Sequence, residues 1–356
     1  MASIPQKPFL AGSLREDLAA WCVKECTAKF RANQIAEWLY RHDVLNPMEM
    51  KNLPLPLRGA LAADFLAPGS SIAESAPAPD GTEKLLIRLH DGETVEMVLI
   101  PGREERLTFC LSTQVGCPVG CLFCASGRDG LIRNLAAGEI LEEFLLGSSR
   151  AGRRPDSIVF MGIGEGLMNF HELSKALHVL TSPDYVGMSP RRITVSTSGY
   201  VPGLLKLAEL GKEFTLAISL HAPDDETRAR IIPDKVRYPI AEIMAAADRY
   251  LETAGRMVTI EYTLLAGVND SHEAAVKLAR LARIHHAKVN LIPYNATGSR
   301  FQRPARETIE AFEKTIFDAG AHVTLRTERG SESSAACGQL RRSAKYGKHN
   351  SQENGK

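Results

Sequence analysis

Residues 110–124, CLSTQVGCPVGCLFC, hold four of the seven cysteines of a 356-residue chain. Cys117, Cys121 and Cys124 are spaced C-x3-C-x2-C, and the next cysteine, Cys337, lies near the other end in SESSAACGQL. An all-thiolate site ordinarily takes four ligands. Three readings follow from the residues. A zinc ion could be completed by Cys110 or a histidine, although zinc ribbons carry paired C-x2-C units and only one is present. An electron-transfer iron–sulfur cluster would draw its fourth cysteine from nearby downstream sequence, which has none. A [4Fe–4S] cluster on three thiolates would leave one iron open for another ligand, as an open catalytic metal position does.

The flanking sequence places this loop in a fold. LTFCLS, DSIVFMG, RRITVST, FTLAISL, MVTIEYTLL, KVNLIPY and HVTLRT have strand character. Between most of them lie segments of helical periodicity, from AAGEILEEFLLGSSR to ARETIEAFEKTIFDAG. Alternating βα units predict a parallel sheet with helices outside, here an α/β fold built as an incomplete (β/α)6 barrel. Chemistry in such barrels gathers at the C-terminal strand ends, where the cysteine loop, GIGEG, STSG and SLHAP all fall. Upstream, KLLIRLH and TVEMVLIP flank a DG turn and predict a β-hairpin. Residues 14–66 show helical spacing, and APGSSIAESAPAPDG (67–81) has the composition of a connection. The expected organisation is a small helical domain over 1–66, linker and hairpin over 67–106, the partial barrel over 107–340 and a polar basic tail over 341–356.

Composition narrows the function classes. Charged residues make up 24% and hydrophobic residues 44%, ordinary for a folded globular chain. The formal net charge of +1 gives no global attraction to nucleic acid, so any such surface is local. No apolar run is long enough to span a bilayer, and no basic region leads into an apolar signal core. A cytoplasmic location is expected, where thiols stay reduced and clustered cysteines serve metals or catalysis. Cys22 and Cys26 have no partner ligands nearby in sequence and read as ordinary helix residues.

Beyond the cysteine loop, the runs GLIRNL, FMGIGEGLMNF, SPRRITVSTSG, AISLHAP, EYTLLAGVND, VNLIPYN and AACGQL resemble the RlmN/Cfr family of radical S-adenosylmethionine (SAM) RNA methyltransferases. FRANQIAEWLYRHDVLNPMEMKNLP is similar to the helical N-terminal domain of that family, so the resemblance spans nearly the whole chain. It implies a radical SAM barrel, one [4Fe–4S] cluster on Cys117, Cys121 and Cys124, and SAM on the open iron. In the family, a cysteine is methylated by one SAM, a radical from a second SAM activates that methyl group, and the carbon adds to adenine. A second cysteine then resolves the protein–RNA thioether by forming a disulfide. Such chemistry suits adenine C2, an electron-poor carbon that cannot attack the methyl group of SAM.

By motif, the resemblance makes Cys337 the methyl carrier, Cys110 the resolving cysteine and Glu96 the general base. Read alone, Glu96 is an exposed strand carboxylate. The SAM contacts implied are Gly164, Glu165, Ser196, Ser219, Leu220, His221 and Asn295, while Gly166 departs from the usual GEP or GEA pattern. The partners implied are 23S rRNA and tRNA, with an external flavodoxin-like or ferredoxin-like electron donor, no membrane and a monomeric chain. The alternatives are Cfr-type methylation at adenine C8, a non-catalytic iron–sulfur RNA-binding protein, and a radical SAM enzyme acting on a small molecule. Arg341, Arg342, Lys345 and Lys348 of the tail could touch phosphates or simply be solvated.

Overall fold

A computed structural model of the chain describes residues 7–326 and 335–340. The basic tail and its four cations fall outside the described residues.

Three helices come first: α1 (Arg15–Lys24), α2 (Arg31–Arg41) and α3 (Leu55–Asp64). Each buries one stripe, for example Ile35, Leu39 and Tyr40 of α2, as helical spacing requires. Cys22 is buried in α1, whereas Cys26 lies exposed beyond its end. Within the helical unit Phe9 bridges to Leu66, and side-chain pairs fasten the unit to the rest. Arg15 pairs with Asp184 at 3.0 Å and Arg154 with Asp43 at 2.8 Å. Tyr40 and Tyr185 meet edge to face.

Next come strands β1 (Ser71–Pro77), β2 (Glu83–Arg88) and β3 (Thr94–Pro101), an antiparallel run. The DG turn forms between β2 and β3 as expected. The stretch read as a connection does not stay irregular: Ser71–Pro77 pairs with β2 as an edge strand. Its Ser, Ala and Glu residues have weak strand preference, and the hydrogen bonds offered by β2 override it. A register irregularity between Ile72 and Glu74 and a proline at its end suit an unpaired edge.

After β4 (Leu107–Cys110), a small hairpin of β5 (Gln114–Gly116) and β6 (Leu131–Asn134) flanks the cysteine loop. Then follow α4 (Ala137–Ala151), β7 (Ser157–Phe160), α5 (Phe170–Thr181), β8 (Ile193–Thr197), α6 (Val201–Glu209), β9 (Thr215–Ser219), the short α7 (Asp225–Ala229) and α8 (Ile240–Ala254). The series ends with β10 (Thr259–Leu264), α9 (His272–Ile284), β11 (Lys288–Pro293), α10 (Arg306–Asp318) and β12 (Val323–Leu325).

The ten-stranded sheet runs β1-β2-β3-β4-β7-β8-β9-β10-β11-β12. From β4 to β12 every pairing is parallel. Six strand–helix units, β4 to α10, are followed by β12, and the two edge strands do not pair, so the barrel is incomplete. Alternation along each strand sorts the side chains. Ile158, Ile193, Val195, Leu216, Ile218, Ile260, Tyr262, Val289 and Leu291 are buried in the main core. Thr108, Val159, Thr194, Thr215, Ala217, Glu261 and Asn290 instead line one inner hollow. That these residues of several neighbouring strands face a common hollow shows that the sheet curls.

Candidate active site

The cysteine loop leaves β4, passes β5 and folds back against β6. Glycines make that path possible. At Gly116, φ is +76° and a Cβ would overlap the carbonyl oxygen of Gly130. At Gly127 a Cβ would stand 2.7 Å from the Cα of Gly120, where the loop crosses itself. Beneath the loop, Val119, Phe123, Ala222, Ile231, Ile232, Leu265 and Tyr294 form a second small apolar core.

The C-terminal segment is tied to this loop. Ala125 N–H donates to Gly338 O at 2.7 Å, and Ser126 Oγ donates to Leu340 O at 2.6 Å. These bonds bring Cys337 to the cavity lined by Cys117, Cys121 and Cys124. With its open mouth included, the cavity measures about 930 Å³. Burial raises the pKa of all three loop thiols, that of Cys117 to about 12. Protein groups alone therefore leave them protonated at neutral pH.

Gly164, Glu165, Ser196, Ser219, His221 and Asn295 line the same cavity. Leu220 does not: it is fully buried, and its N–H donates to Ile218 O and Glu261 O. Leu220 and His221 lie past the end of β9, where His221 takes a φ of +57°, so the three-residue run contributes two side chains to the cavity. The buried Glu165 accepts Ser198 N–H at 2.6 Å and Leu167 N–H at 3.3 Å, yet burial still raises its pKa. His221 Nδ1 accepts Thr263 N–H at 3.0 Å, and its ring stands edge to face with Phe123. Burial, aided by the Arg228 guanidinium, lowers its pKa to about 3, so the ring is a neutral Nε2–H tautomer.

Gly164 and Gly166 differ. Gly164 has φ +117° and a Cβ would meet Gln114 Cβ at 2.7 Å. Gly166 opens a 3-10 turn outside the left-handed region, and a Cβ there would only crowd Leu173 at 3.2 Å. Its backbone conformation does not demand glycine.

Cys110 and Cys337 line a second cavity with Asn295 and Arg326. The expected disulfide is absent: Cys110, Cys337 and the other five cysteines are free thiols. Burial raises the Cys110 pKa to about 12. Glu96 lines neither cavity. It lies two residues before Val98, the cross-strand partner of Cys110, and therefore on the same face of β3. Glu96 is buried rather than exposed, with Oε1 3.0 Å from Lys84 Nζ.

Arg326 and Glu261 were not singled out by sequence. Arg326 borders both cavities, and its guanidinium hydrogen-bonds Cys337. The Cys337 sulfur, then Glu261 and Cys110, raise its pKa. Glu261 accepts from Asn290 Nδ2 at 2.7 Å. A usable signal was present, since IEYTL puts a carboxylate between two buried strand positions, where it must face a polar interior.

Comparison with known proteins fits this arrangement. Residues 10–66 match the ribosomal RNA large subunit methyltransferase N-terminal domain, and residues 111–279 match the radical SAM superfamily. A probable dual-specificity RNA methyltransferase RlmN from Akkermansia muciniphila is 41% identical, covering 95% of this chain and 96% of that protein. One named likewise from Carboxydothermus hydrogenoformans is 43% identical over 93% and 96%. The crystal structure of a radical SAM methyltransferase from Sphaerobacter thermophilus aligns with a TM-score of 0.90 at 41% identity, covering 94% and 99%. The chain belongs to the RlmN family. It is a radical SAM enzyme of the transferase class.

Membership implies an iron–sulfur cluster and SAM, and the cavity residues fit both. Three thiols on one wall can supply the cluster ligands once bound iron compensates their charge. Among the described residues no three His, Cys, Asp or Glu side chains gather to hold a single metal ion. Asn295 Oδ1 is buried and without a hydrogen-bond partner at the cavity wall, as expected of an acceptor awaiting a ligand donor.

Proposed function

We propose that this enzyme methylates C2 of adenosine in 23S rRNA and in tRNA 3′ of the anticodon, through a methylated Cys337. The observation that carries this reading is the stapling of Cys337 onto the cysteine loop, within a cavity it shares with Cys110. A structural cysteine needs neither neighbour.

Cys117, Cys121 and Cys124 would hold the cluster, and Gly164, Glu165, Ser196, Ser219, His221 and Asn295 would surround SAM. When bound, that pair supplies the 5′-deoxyadenosyl radical. The bare backbone at Gly164 allows close approach, and the Glu165 carboxylate suits the SAM ammonium. The neutral His221 packs on Phe123 and fixes the wall of the cysteine loop. Asn295 donates to Cys337 O at 3.3 Å, linking the cofactor wall to the methyl carrier. Cys110 would resolve the protein–RNA thioether by a transient disulfide with Cys337. Glu96 would take the proton leaving the adenine carbon, its carboxylate charge supported by the neighbouring Lys84 ammonium. The target base must be unstacked or single-stranded to enter. Residues 10–66 would recognise RNA shape, an external one-electron donor would serve the cluster, and the enzyme would act as a cytoplasmic monomer. No helix among the described residues is long and apolar enough to cross a membrane.

The test is anaerobic. The reconstituted enzyme receives SAM, reductant and a 23S rRNA fragment, and the digested RNA is read by mass spectrometry against standards. 2-Methyladenosine supports the proposal. 8-Methyladenosine would move the target carbon with the same cysteines in use, and no methylated base would refute the substrate.

A further inference from the structure

A further hollow lies on the same end of the sheet as the active cavity, away from its cofactor wall. Arg230, Ala266, Val268, Arg300, Phe301 and Gln302 line it, and with its open mouth it measures about 750 Å³. These residues come from the connections that follow β9, β10 and β11, which also carry His221 and Asn295 to the active cavity. The hollow is built rather than frayed: Ala266 N–H donates to Gln302 O at 2.9 Å. Phe301 packs against the apolar core beneath the cysteine loop, and Leu122 N–H donates to Ile231 O, directly after Arg230.

Two features point to a ligand. Arg230 and Arg300 are exposed, and neither guanidinium has a hydrogen bond or ion pair among the described residues. Of the carboxylates on the same connections, all but the exposed Glu226 are engaged elsewhere. Asp224 pairs with Lys277 at 3.1 Å, Asp225 accepts Ile240 N–H at 2.9 Å, and Asp270 accepts Gly267 N–H at 2.9 Å. In addition, the Arg300 guanidinium stacks 5.3 Å from the Phe301 ring centroid, giving a flat, positively charged platform with Arg230 lining the same hollow. Stacking surface next to guanidinium is the combination that holds an unstacked nucleotide by base and phosphate.

We propose that this hollow binds the nucleotide next to the target adenosine in single-stranded RNA. Arg230 and Arg300 hold phosphate oxygens, and the Arg300–Phe301 platform stacks the base. The inference rests on the RNA-methylating reading and adds the place where the flanking strand is gripped.

The test uses full-length, cluster-loaded protein and an RNA hairpin bearing the target adenosine in its loop. The paired variant Arg230→Gln/Arg300→Gln is compared with the parent, together with Phe301→Leu and Phe301→Trp. The paired variant is expected to weaken RNA binding about tenfold or more. Its slope of log affinity against log salt becomes shallower by about 0.7 for each phosphate no longer held. Phe301→Leu weakens binding about tenfold with little change of slope, and Phe301→Trp restores it. Methylation of Cys337 without RNA stays at the parental rate, which shows that the fold and cofactor sites are intact. Equal RNA affinity in parent and paired variant would overturn the inference while leaving the functional reading in place. Loss of turnover with a protein electron donor but not with a chemical reductant, at unchanged RNA affinity, would assign the hollow to that donor and also overturn it. A parent enzyme that bound no RNA would remove the functional reading and this inference together.

Discussion

Arg326 and the two active-site thiols define the chemistry at the scale of single residues. Its guanidinium contacts the sulfur of Cys337 and borders the cavity holding Cys110. A hydrogen bond from a charged donor to a sulfur is worth about 1.5–3 kcal/mol, so its loss is felt in a rate. Arg326→Gln is expected to slow methylation of Cys337 by about tenfold or more. Arg326→Lys should recover part of the rate. Intact-protein mass after timed SAM addition reads the step directly, and an unchanged rate in the Gln variant would remove Arg326 from it. Cys110→Ala tests the other thiol. The variant should accumulate a covalent protein–RNA adduct visible on a denaturing gel, and normal turnover without adduct would refute the resolving role. Spacing and strand context singled out Cys117, Cys121 and Cys124, whereas Cys110 and Cys337 were singled out by the family resemblance. Burial was not legible: Glu96 reads as an exposed strand carboxylate, and only the cross-strand Lys84 shows how its charge is housed. Leu220 shows the converse, since a continuous motif does not say which of its side chains turn away from the cavity.

Among the elements, the segment before α1 and the N-terminus of α4 decide how the helical unit is held. Gly138 lies in the first turn of α4 with Phe9 directly on it. A Cβ there would overlap the Phe9 ring and stand 2.5 Å from Ala11 O. Gly138→Ala should therefore cost about 1–3 kcal/mol by overpacking, despite alanine's better helix preference. The expected readouts are a lower urea midpoint and faster proteolytic cleavage in the N-terminal helical unit. A raised midpoint would mean that Phe9 moves aside at no cost. By the same reasoning Gly166→Ala should be within about 1 kcal/mol of the parent, because Leu173 can rotate away and no left-handed conformation is required. Long periodic elements such as α4, α8 and β10 could be read from sequence, since each carries a clear 3.6- or 2-residue pattern. Strand β1 could not: its residues have no such pattern, and it exists because β2 presents an open edge. The short hairpin of β5 and β6 escaped for the same reason.

The whole molecule is drawn together on α4, whose Glu139, Glu142 and Glu143 are all fully buried. Glu139 takes a two-pronged bond from Arg133 of β6 at 2.7 and 2.8 Å. Glu143 accepts Ser112 N–H at 3.0 Å beside Cys110, and Glu142 accepts Gly69 N–H at 2.8 Å where the helical unit hands over to the sheet. One helix thus connects the N-terminal unit, the cysteine-loop hairpin and the end of β4. Burial is the main cause that raises the Glu142 pKa from 4.5 to about 7. The native state therefore keeps this proton between those values while the unfolded chain loses it. Stability from Glu142 is full below the unfolded pKa and lost as pH rises through about 7. The whole effect is about 3 kcal/mol, of which about 1 kcal/mol falls between about pH 6 and about pH 8. His221 works in the opposite sense, since its depressed pKa costs stability as pH falls from 6.5 toward about 3. It contributes little above neutrality, and because burial also raises the pKa of Glu143, Glu165 and Glu261, it is the difference between variant and parent that isolates Glu142. Glu142→Gln keeps an acceptor for Gly69 N–H and removes the ionisation. Relative to the parent, the variant should gain about 1 kcal/mol between about pH 6 and about pH 8, measured as anaerobic urea midpoints of the cluster-loaded protein. Parallel midpoints across that range would mean that Glu142 is already charged in the native state, with the helix N-terminus and Gly69 compensating it.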